Sequence, residues 1–251
     1  DGDVREETFT YDVGDRLASY ACAGVGAPAD ESGHPVAGQV FTYDALDNVV
    51  ERTTTYGDRA PAEVWRCAYS AGDPTQLTSI VVLQGDRQVR QLEFTYDAGG
   101  HLQADVSGHG LLYDALGRPA GWTGGDGSSR RHGYDADGRI GVVREGLDER
   151  HRYYLAGQLS REEGVDGSSR FHYLGGSAVA QVRTGDADTG TILLGGDSQG
   201  SVVAEAGASI TTPSYTAHGY DDGSQSQSDI GFTGERRERS RVVHPRPLPR
   251  P

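Results

Sequence analysis

The most constraining feature of the sequence is a short motif that recurs along the chain. Each copy has a Tyr-Asp pair, two further residues, a Gly or Asp, and a polar residue. From Tyr96 onward, full and degenerate copies begin at residues 96, 113, 134, 154 and 173, a period of about 20 residues that is typical of a repeat architecture. The motif residues are Tyr11, Asp12, Tyr43, Asp44, Tyr96, Asp97, Tyr113, Asp114, Gly117, Arg118, Tyr134, Asp135, Gly138 and Arg139.

The chemistry of the motif predicts a β-turn. An Asp side chain accepts hydrogen bonds from backbone groups two residues further on, so the Asp opens the turn. Gly117 and Gly138 follow three residues after their Asp, where a left-handed conformation is needed, and Asp15 and Asp47 hold the same slot. Strand-like sequence precedes each pair and an aliphatic residue usually follows the turn. Every copy therefore predicts one hairpin.

Successive hairpins predict an all-β meander. A hairpin alone cannot bury its face, so we expect the hairpins to pair into one continuous curved sheet, an open fragment of a β shell. The Asp-Gly pairs at 126–127 and 166–167 predict turns at the opposite end of the hairpins. Helical periodicity is weak, and we expect at most a turn or two of helix within residues 199–208 and 115–122.

The composition argues against several classes of protein. The chain has 251 residues, 37 of them Gly, no Met, and a net charge of −14. A broad phosphate-binding surface needs clustered Lys and Arg, so we expect no nucleic-acid partner. No apolar run approaches the roughly 20 residues of a membrane span. The missing Met predicts a segment of a longer polypeptide, and Cys22 and Cys67 alone predict neither a disulfide scaffold nor a metal knuckle.

One segment admits a catalytic alternative. Residues 196–200, GDSQG, match the G-x-S-x-G nucleophile elbow, with Ser198 as the nucleophile. Asp221 follows His218, which reverses the order that this elbow requires, and no alternation of strands and helices surrounds the motif. We therefore favour a glycine-rich turn between strands and expect no catalytic residue.

Metal binding, calcium binding and sugar stacking are weaker alternatives. For metal binding, His101, Asp105 and His109 are evenly spaced but lie among glycines, so the spacing is not that of a metal site. For calcium binding, the acidic residues Asp186, Asp188 and Asp197 lack the bidentate Glu that completes a calcium loop. For sugar stacking, Trp65 and Trp122 accompany tyrosines that the repeat assigns to packing. We expect no metal and no cofactor.

The repeated motif resembles the YD repeats of Rhs proteins, teneurins and the B and C components of insecticidal toxin complexes. YDALGR at 113–118 and YDADGR at 134–139 match best. Three later segments, residues 193–203, 214–219 and 231–237, are similar in sequence and order to the Rhs-associated core region. The resemblance covers residues 8–237. The autoproteolytic D-P-x-G motif of the family is missing, since Asp73-Pro74 is followed by Thr75-Gln76, which puts Gln76 where the motif requires Gly.

The resemblance implies a structural function. The family's repeats wind into a β shell around a C-terminal toxin, so we expect residues 1–237 to be a shell segment that encapsulates and delivers a toxin. The implied partners are the rest of the shell, its toxin cargo and a B-type shell partner. The implied localisation is secreted or cell-surface, after a stage in the cytoplasm of the producing cell. The alternative is a teneurin-like cell-surface module that binds carbohydrate or protein.

The C-terminal residues depart from the family. Where the family continues with a segment like S-G-W-Y-x-L-G-R-Y, residues 241–249 read RVVHPRPLP. We expect residues 238–251 to be a disordered tail rich in Pro and Arg. Out-of-frame translation from Arg241 is our hypothesis for its origin, and the DNA sequence tests it.

Overall fold

The computed structural model describes residues 5–30, 32–104, 110–185, 189–219 and 226–236. Within these ranges the regular elements are β-strands, apart from one 3₁₀ turn at Phe232–Gly234. The all-β expectation is therefore confirmed. The turn or two of helix that the sequence allowed at most is not formed, because residues 115–122 hold a turn and most of one strand and residues 199–208 contain another.

The first sheet has seven strands, and their order in the sheet is their order in the chain. The strands are β1 (Arg5–Tyr11), β2 (Leu17–Gly24), β3 (Val36–Tyr43), β4 (Val49–Tyr56), β5 (Glu63–Tyr69), β6 (Leu77–Gln84) and β7 (Arg87–Glu93).

The second sheet has 13 strands, again in chain order. They are β8 (Thr95–Tyr96), β9 (Leu102–Ala104), β10 (Gly110–Tyr113), β11 (Pro119–Thr123), β12 (Ser129–Tyr134), β13 (Ile140–Glu145), β14 (Asp148–Leu155), β15 (Gln158–Gly164), β16 (Gly167–Leu174), β17 (Ser177–Gly185), β18 (Gly190–Gly196), β19 (Val202–Ala206) and β20 (Ile210–Thr211).

The hairpin meander is confirmed, but the single continuous sheet was wrong. Strands that follow one another in the chain pair antiparallel within each sheet, as β3 does with β4 and β16 with β17. The chain divides into two compact units, the first of Asp1–Thr95 with Thr212–Ser226 and the second of Tyr96–Thr211 with Gln227–Pro251. The sequence-based boundary at residue 237 and the tail that follows it lie outside the described residues and stay predictions.

In the first unit, a small core lies against the sheet. Tyr20, Cys22 and Val36 are buried, and the half-buried Tyr56 and Ala217 pack against them. Ala217 belongs to the later segment of this unit, so that segment covers part of the sheet face. Cys22 and the half-buried Cys67 are free thiols.

The core of the second unit is built from alternate residues of neighbouring strands. Phe171, Ile192, Leu194 and Val202 are buried together, and Ile230 from the later segment packs onto them with 1% of its surface exposed. The residues between them, such as Thr191 and Leu193 on β18, are exposed on the opposite face, because successive side chains of a strand point to opposite faces. A core that is one side chain deep fits a chain with only 35% hydrophobic residues.

Candidate functional site

The Asp of each Tyr-Asp pair organises the turn that follows it. Oδ1 of Asp114 accepts hydrogen bonds from the backbone N–H groups of Leu116 and Arg118, both at 2.9 Å. The N–H of Gly117 donates to the Asp114 carbonyl oxygen at 3.0 Å. Gly117 has φ +74°, a conformation that glycine adopts without the steric cost of a Cβ.

The other four copies form the same turn. In each, Oδ1 of the Asp accepts from the N–H groups two and four residues further on. In each, the residue three after the Asp has a positive φ, and this slot holds Asp15 (59°), Asp47 (64°), Gly100 (80°) and Gly138 (78°). The structure thus places Asp12, Asp44, Asp97, Asp114 and Asp135 in equivalent positions.

In four of the five copies, the residue four after the Asp joins its own turn to the tyrosine of the next hairpin. Nη2 of Arg118 lies 2.7 Å from Oδ2 of Asp114, and the Arg118 guanidinium carbon lies 4.0 Å from the centre of the Tyr134 ring. A cation over an aromatic face is attracted by the ring quadrupole. Arg16 over Tyr43 (4.7 Å), Arg139 over Tyr154 (4.9 Å) and the His101 ring stacked on Tyr113 (4.6 Å) repeat the arrangement.

The hydroxyls of six tyrosines, each just before a turn, bond to the backbone of the preceding hairpin. The Tyr134 hydroxyl donates to the carbonyl oxygen of Pro119, the first residue of the strand that returns from the preceding turn. The same bond joins Tyr43 to Leu17 (2.8 Å), Tyr69 to Val49 (2.9 Å), Tyr113 to Leu102 (3.0 Å), Tyr154 to Ile140 (3.0 Å) and Tyr173 to Leu159 (3.0 Å). We call each such tyrosine a rung and the series the tyrosine ladder.

Two motif tyrosines lie where a sheet ends. Tyr11 is on the edge strand β1 and is 60% exposed, and Tyr96 is on the edge strand β8 and is half-buried. An edge strand has a neighbour in its sheet on one side only, so the described part of the sheet holds no earlier hairpin for the hydroxyl of Tyr11 to reach.

Two further turns are of this type: the one at Asp30, which sequence reasoning missed, and the glycine-rich turn predicted at residues 196–200, whose Asp197 was not recognised as a motif Asp. Oδ1 of Asp30 accepts from the N–H groups of Ser32 and His34 at 2.8 and 3.0 Å. Oδ1 of Asp197 accepts from those of Gln199 and Ser201, both at 2.9 Å. Both turns lack the preceding Tyr, and the D-x-x-G spacing alone was the available signal.

The Asp197 turn accounts for the G-x-S-x-G segment. It connects β18 with β19, and Gly200 takes the left-handed slot at φ +83°. A nucleophile elbow joins a strand to a helix, whereas a strand follows this turn. Ser198 lies on an open cleft of about 600 Å³ in the second unit, and none of the described residues that line it is a histidine.

The turn contacts lower the pKa of the motif aspartates. For Asp12 the main cause is the hydrogen bond from the Arg16 side chain, and for Asp44 it is the bond from the Asn48 side chain. For Asp97, Asp114 and Asp135 the main cause is the backbone N–H four residues further on. Each bond favours the ionised carboxylate, which is the form that can accept it.

A second set of contacts holds residues 226–236, the strap, against the second sheet. Glu205 on β19 is 1% exposed and accepts hydrogen bonds from the backbone N–H groups of Gln227 and Ser228, at 2.5 and 3.2 Å. Gln181 on β17 is fully buried and forms two bonds with Asp229, one to its side chain and one from its backbone N–H. Glu205 and Gln181 are thus paired with backbone and side-chain groups of the strap rather than left unsatisfied.

The end of the strap is held by a buried ion pair network. Glu162 on β15 accepts from Nε of Arg152 at 2.8 Å and from Nε of Arg236 at 3.0 Å. The side chains of Glu162, Arg152 and Arg236 are 3%, 5% and 12% exposed. Buried charges of this kind depend on their partners, because an unpaired ion in the interior is costly.

The remaining sequence candidates are distributed without forming a ligand site. Trp122 is buried, with 4% of its surface exposed, and the Arg52 guanidinium lies 3.7 Å from the centre of the Trp65 ring. Among the residues that the structure describes, no group of three or more His, Cys, Asp or Glu is placed to hold a metal ion. His101 belongs to a ladder turn, whereas Asp105, His109, Asp186 and Asp188 lie outside the described residues.

Comparison with known proteins agrees with this geometry. The RHS Repeat family model matches residues 113–146, which contain the two best copies of the motif. The chain carries an RHS repeat. The resemblance to the Rhs and YD-repeat proteins is thereby confirmed, although no curated protein matches the sequence.

Solved structures share the fold. The crystal structure of TcdB2-TccC3-Cdc42 is similar over 94% of this chain and 15% of its own, with a TM-score of 0.60 and 15% identity. The Tc holotoxin pore of Photorhabdus luminescens is similar over 94% of this chain and 14% of its own, with a TM-score of 0.55 and 15% identity. The chain therefore has the fold of a short part of these Tc toxin chains. No helix in the described ranges has the length and apolarity to cross a membrane.

Proposed function

We propose that this chain is a wall segment of an Rhs or toxin-complex C-type shell that encapsulates a toxin and delivers it. The observation that carries the proposal is the tyrosine ladder. Each hairpin supplies a carbonyl oxygen and, in most copies, an Arg or His for the tyrosine of the next hairpin, so the wall grows by adding identical units. A domain with one closed core would instead fold only when all of its strands are present.

The proposed mechanism is steric and uses no catalytic step. Neighbouring hairpins are hydrogen-bonded to one another within each sheet, so a shell built from such sheets would keep proteases and cytoplasmic targets away from a cargo inside it. The net charge of −14 favours a basic cargo by long-range attraction. The proposed partners are the rest of the shell, the toxin and a B-type shell partner, and the proposed destination is the cell surface or the medium.

A segment exchange tests the proposal. This chain replaces the matching segment of TcdB2-TccC3, and digestion of the enclosed C-terminal region by an added protease is followed over time. We expect the exchanged complex to protect the cargo as the parent does. A matched exchange that carries Tyr134→Ala and Tyr154→Ala should leak, because two rungs are missing. Cargo digested as fast from the intact exchange as in free form would contradict the proposal.

A teneurin-like binding module remains the alternative, and the tryptophans argue against its carbohydrate-binding form. Sugar stacking needs an open aromatic face, but Trp122 is buried and Arg52 covers one face of Trp65. Screening the chain against immobilised glycans separates the two functions. Specific, saturable glycan binding that is lost in Trp65→Ala would favour the module.

A further inference from the structure

The second sheet has one face that points away from the strap. The strap packs onto the core side of the sheet at Ile192, whereas Leu193, the next residue of β18, is 59% exposed. Successive side chains of a strand point to opposite faces, and the register of β12 to β18 places further exposed residues on the face of Leu193. We call it the open face, and its exposed residues include Arg131, Arg144, Tyr153, Arg170 and Leu193.

Two pairs of arginines lie directly opposite each other on the open face. Arg131 on β12 lies opposite Arg144 on β13, and Arg161 on β15 lies opposite Arg170 on β16. Side chains in such positions are neighbours, and like charges there destabilise a sheet. The two pairs are therefore a cost to folding that a bound anion would offset.

Each pair contains one arginine with a carboxylate partner and one without. Arg131 and Arg170 are exposed and form no hydrogen bond or ion pair within the part of the chain that the structure describes. A guanidinium is always charged and has five N–H donors, so each of these two arginines can receive a carboxylate in the bidentate geometry that Arg favours. The existing ion pairs are Arg144 with Glu149 and Arg161 with Glu163.

The open face is locally basic in an acidic chain. Its charged strand residues within the described ranges are four arginines against two glutamates, whereas the whole chain has a net charge of −14. At physiological ionic strength, exposed charges further away than about 8 Å are largely screened. A ligand in contact with this face therefore interacts with the arginines more strongly than with the carboxylates elsewhere on the chain.

We propose that the open face binds an acidic, extended segment of a partner polypeptide. Acidic residues at each end of the segment pair with one of the two arginine pairs. The arginine pairs are three strands and four residues apart in the register, which corresponds to about 20 Å. An extended chain covers this distance in about six residues, and residues six apart point to the same side of it.

A polypeptide fits this face better than a uniformly charged polymer such as a nucleic acid. Glu163 lies opposite His151, between the two arginine pairs, so an unbroken series of phosphates would meet a carboxylate there. A polypeptide can place neutral residues at this point. Tyr153, which lies opposite Arg161 and is 48% exposed, adds an apolar surface for a side chain of the segment. The proposal concerns this contact surface and does not depend on encapsulation, so it stands or falls separately from the shell function.

Fluorescence anisotropy with the full chain tests the proposal. The probe is an acetylated octapeptide of two Glu, four Ser and two Glu that carries a neutral dye. We expect saturable binding that weakens at least about tenfold when NaCl rises from about 20 mM to about 500 mM, because salt screens exposed charges. A peptide of the same composition with its four Glu in the centre should bind about fivefold more weakly, because its carboxylates cannot reach both arginine pairs. Absence of saturable binding, or equal binding of the two peptides, would overturn the proposal.

Removing the two unpaired arginines provides the decisive variant. Arg131→Gln with Arg170→Gln should weaken binding of the probe at least about tenfold and should not lower the urea midpoint, because it removes two like-charge contacts. Arg59→Gln with Arg87→Gln, at exposed positions of the first unit, removes the same charge and should leave binding unchanged. Equal binding by the two double variants would refute the proposal. If Arg131→Gln with Arg170→Gln does not fold, the comparison of the two peptides on the unaltered chain decides it.

Discussion

At the scale of the residue, four residues of the repeat each have a separate role. The Asp accepts the backbone N–H groups of the turn, the Gly allows a positive φ, the Arg or His bridges to the next tyrosine, and the Tyr bonds backward. In the Asp114 copy these contacts are 2.7 to 3.0 Å long. Because the Asp and the Gly act within one turn, a substitution of either residue measures the contribution of that turn to stability.

Alanine at Gly138 should destabilise the chain by about 1 kcal/mol, since its φ of +78° costs that amount for a residue with a Cβ. A Cβ at this position meets nothing closer than 3.7 Å, so strain rather than a clash is measured. Gly125→Ala is the control, because its Cβ would have open space and its φ is not positive. Urea unfolding measures the free energy of unfolding of both variants. Equal losses would contradict the claim that residue 138 needs a left-handed conformation.

Acid should weaken the ladder turns. The folded state holds the pKa of Asp114 and Asp135 below the usual value. Their contribution to stability is therefore complete above the ordinary pKa of about 4 and is lost as the pH falls through the lowered value. Melting temperatures recorded against pH should fall in that window, and the double variant Asp114→Asn, Asp135→Asn should fall less steeply. The double variant Glu6→Gln, Asp86→Asn, at two exposed positions, removes the same two charges and is the control, and an unchanged slope in the Asp114, Asp135 variant would contradict the assignment.

At the scale of the element, the strands are coupled through contacts that cross from one hairpin to the next. The turns were predictable from sequence, because an Asp and a Gly three residues apart specify them locally. The hydroxyl bond of Tyr173 to Leu159 was not predictable, since it depends on the register of β15 and β16. The strap was not predictable either, because Arg236 lies 74 residues from its partner Glu162.

Removing one hydroxyl tests this coupling. Tyr173→Phe leaves the Leu159 carbonyl oxygen without its 3.0 Å donor, and we expect a loss of about 1 kcal/mol in the free energy of unfolding. Tyr11→Phe, at a motif tyrosine that is 60% exposed on an edge strand, should change stability by close to zero. If the two variants lose the same free energy, the hydroxyl bond does not couple the hairpins.

The strap should depend on Glu162. In Glu162→Gln two arginines, Arg152 and Arg236, lose a buried anion, and breaking such a network costs about 3–5 kcal/mol. The neighbouring Glu163→Gln is the control, because its pairing with Arg161 is open to solvent on about a third or more of both side chains and contributes less than about 1 kcal/mol. Urea unfolding monitored by tryptophan fluorescence gives both values, and a cost below that of Glu163→Gln would show that the network does not hold the strap.

At the scale of the whole molecule, both sheets have ends. The outer strands of the second sheet, β8 and β20, are two residues long, which leaves little backbone for another chain to pair with. The outer strands of the first sheet, β1 and β7, are seven residues long. Strand β7 carries Arg87, Arg90 and Glu93, which oppose edge pairing, whereas the second half of β1 reads TFTY and is exposed.

We therefore expect the isolated chain to self-associate through β1. Light scattering with size-exclusion chromatography should show a mass that rises with protein concentration. The double variant Thr8→Lys, Thr10→Lys places two cations on this edge and should shift the chain toward monomer, because charge on an edge strand opposes pairing. Thr42→Lys, at an exposed position of the interior strand β3, adds charge without touching an edge and should associate as the unaltered chain does. A mass that stays monomeric at all concentrations would show that β1 does not pair with a second chain. If the double variant associates as strongly as the unaltered chain, the contact lies on another surface.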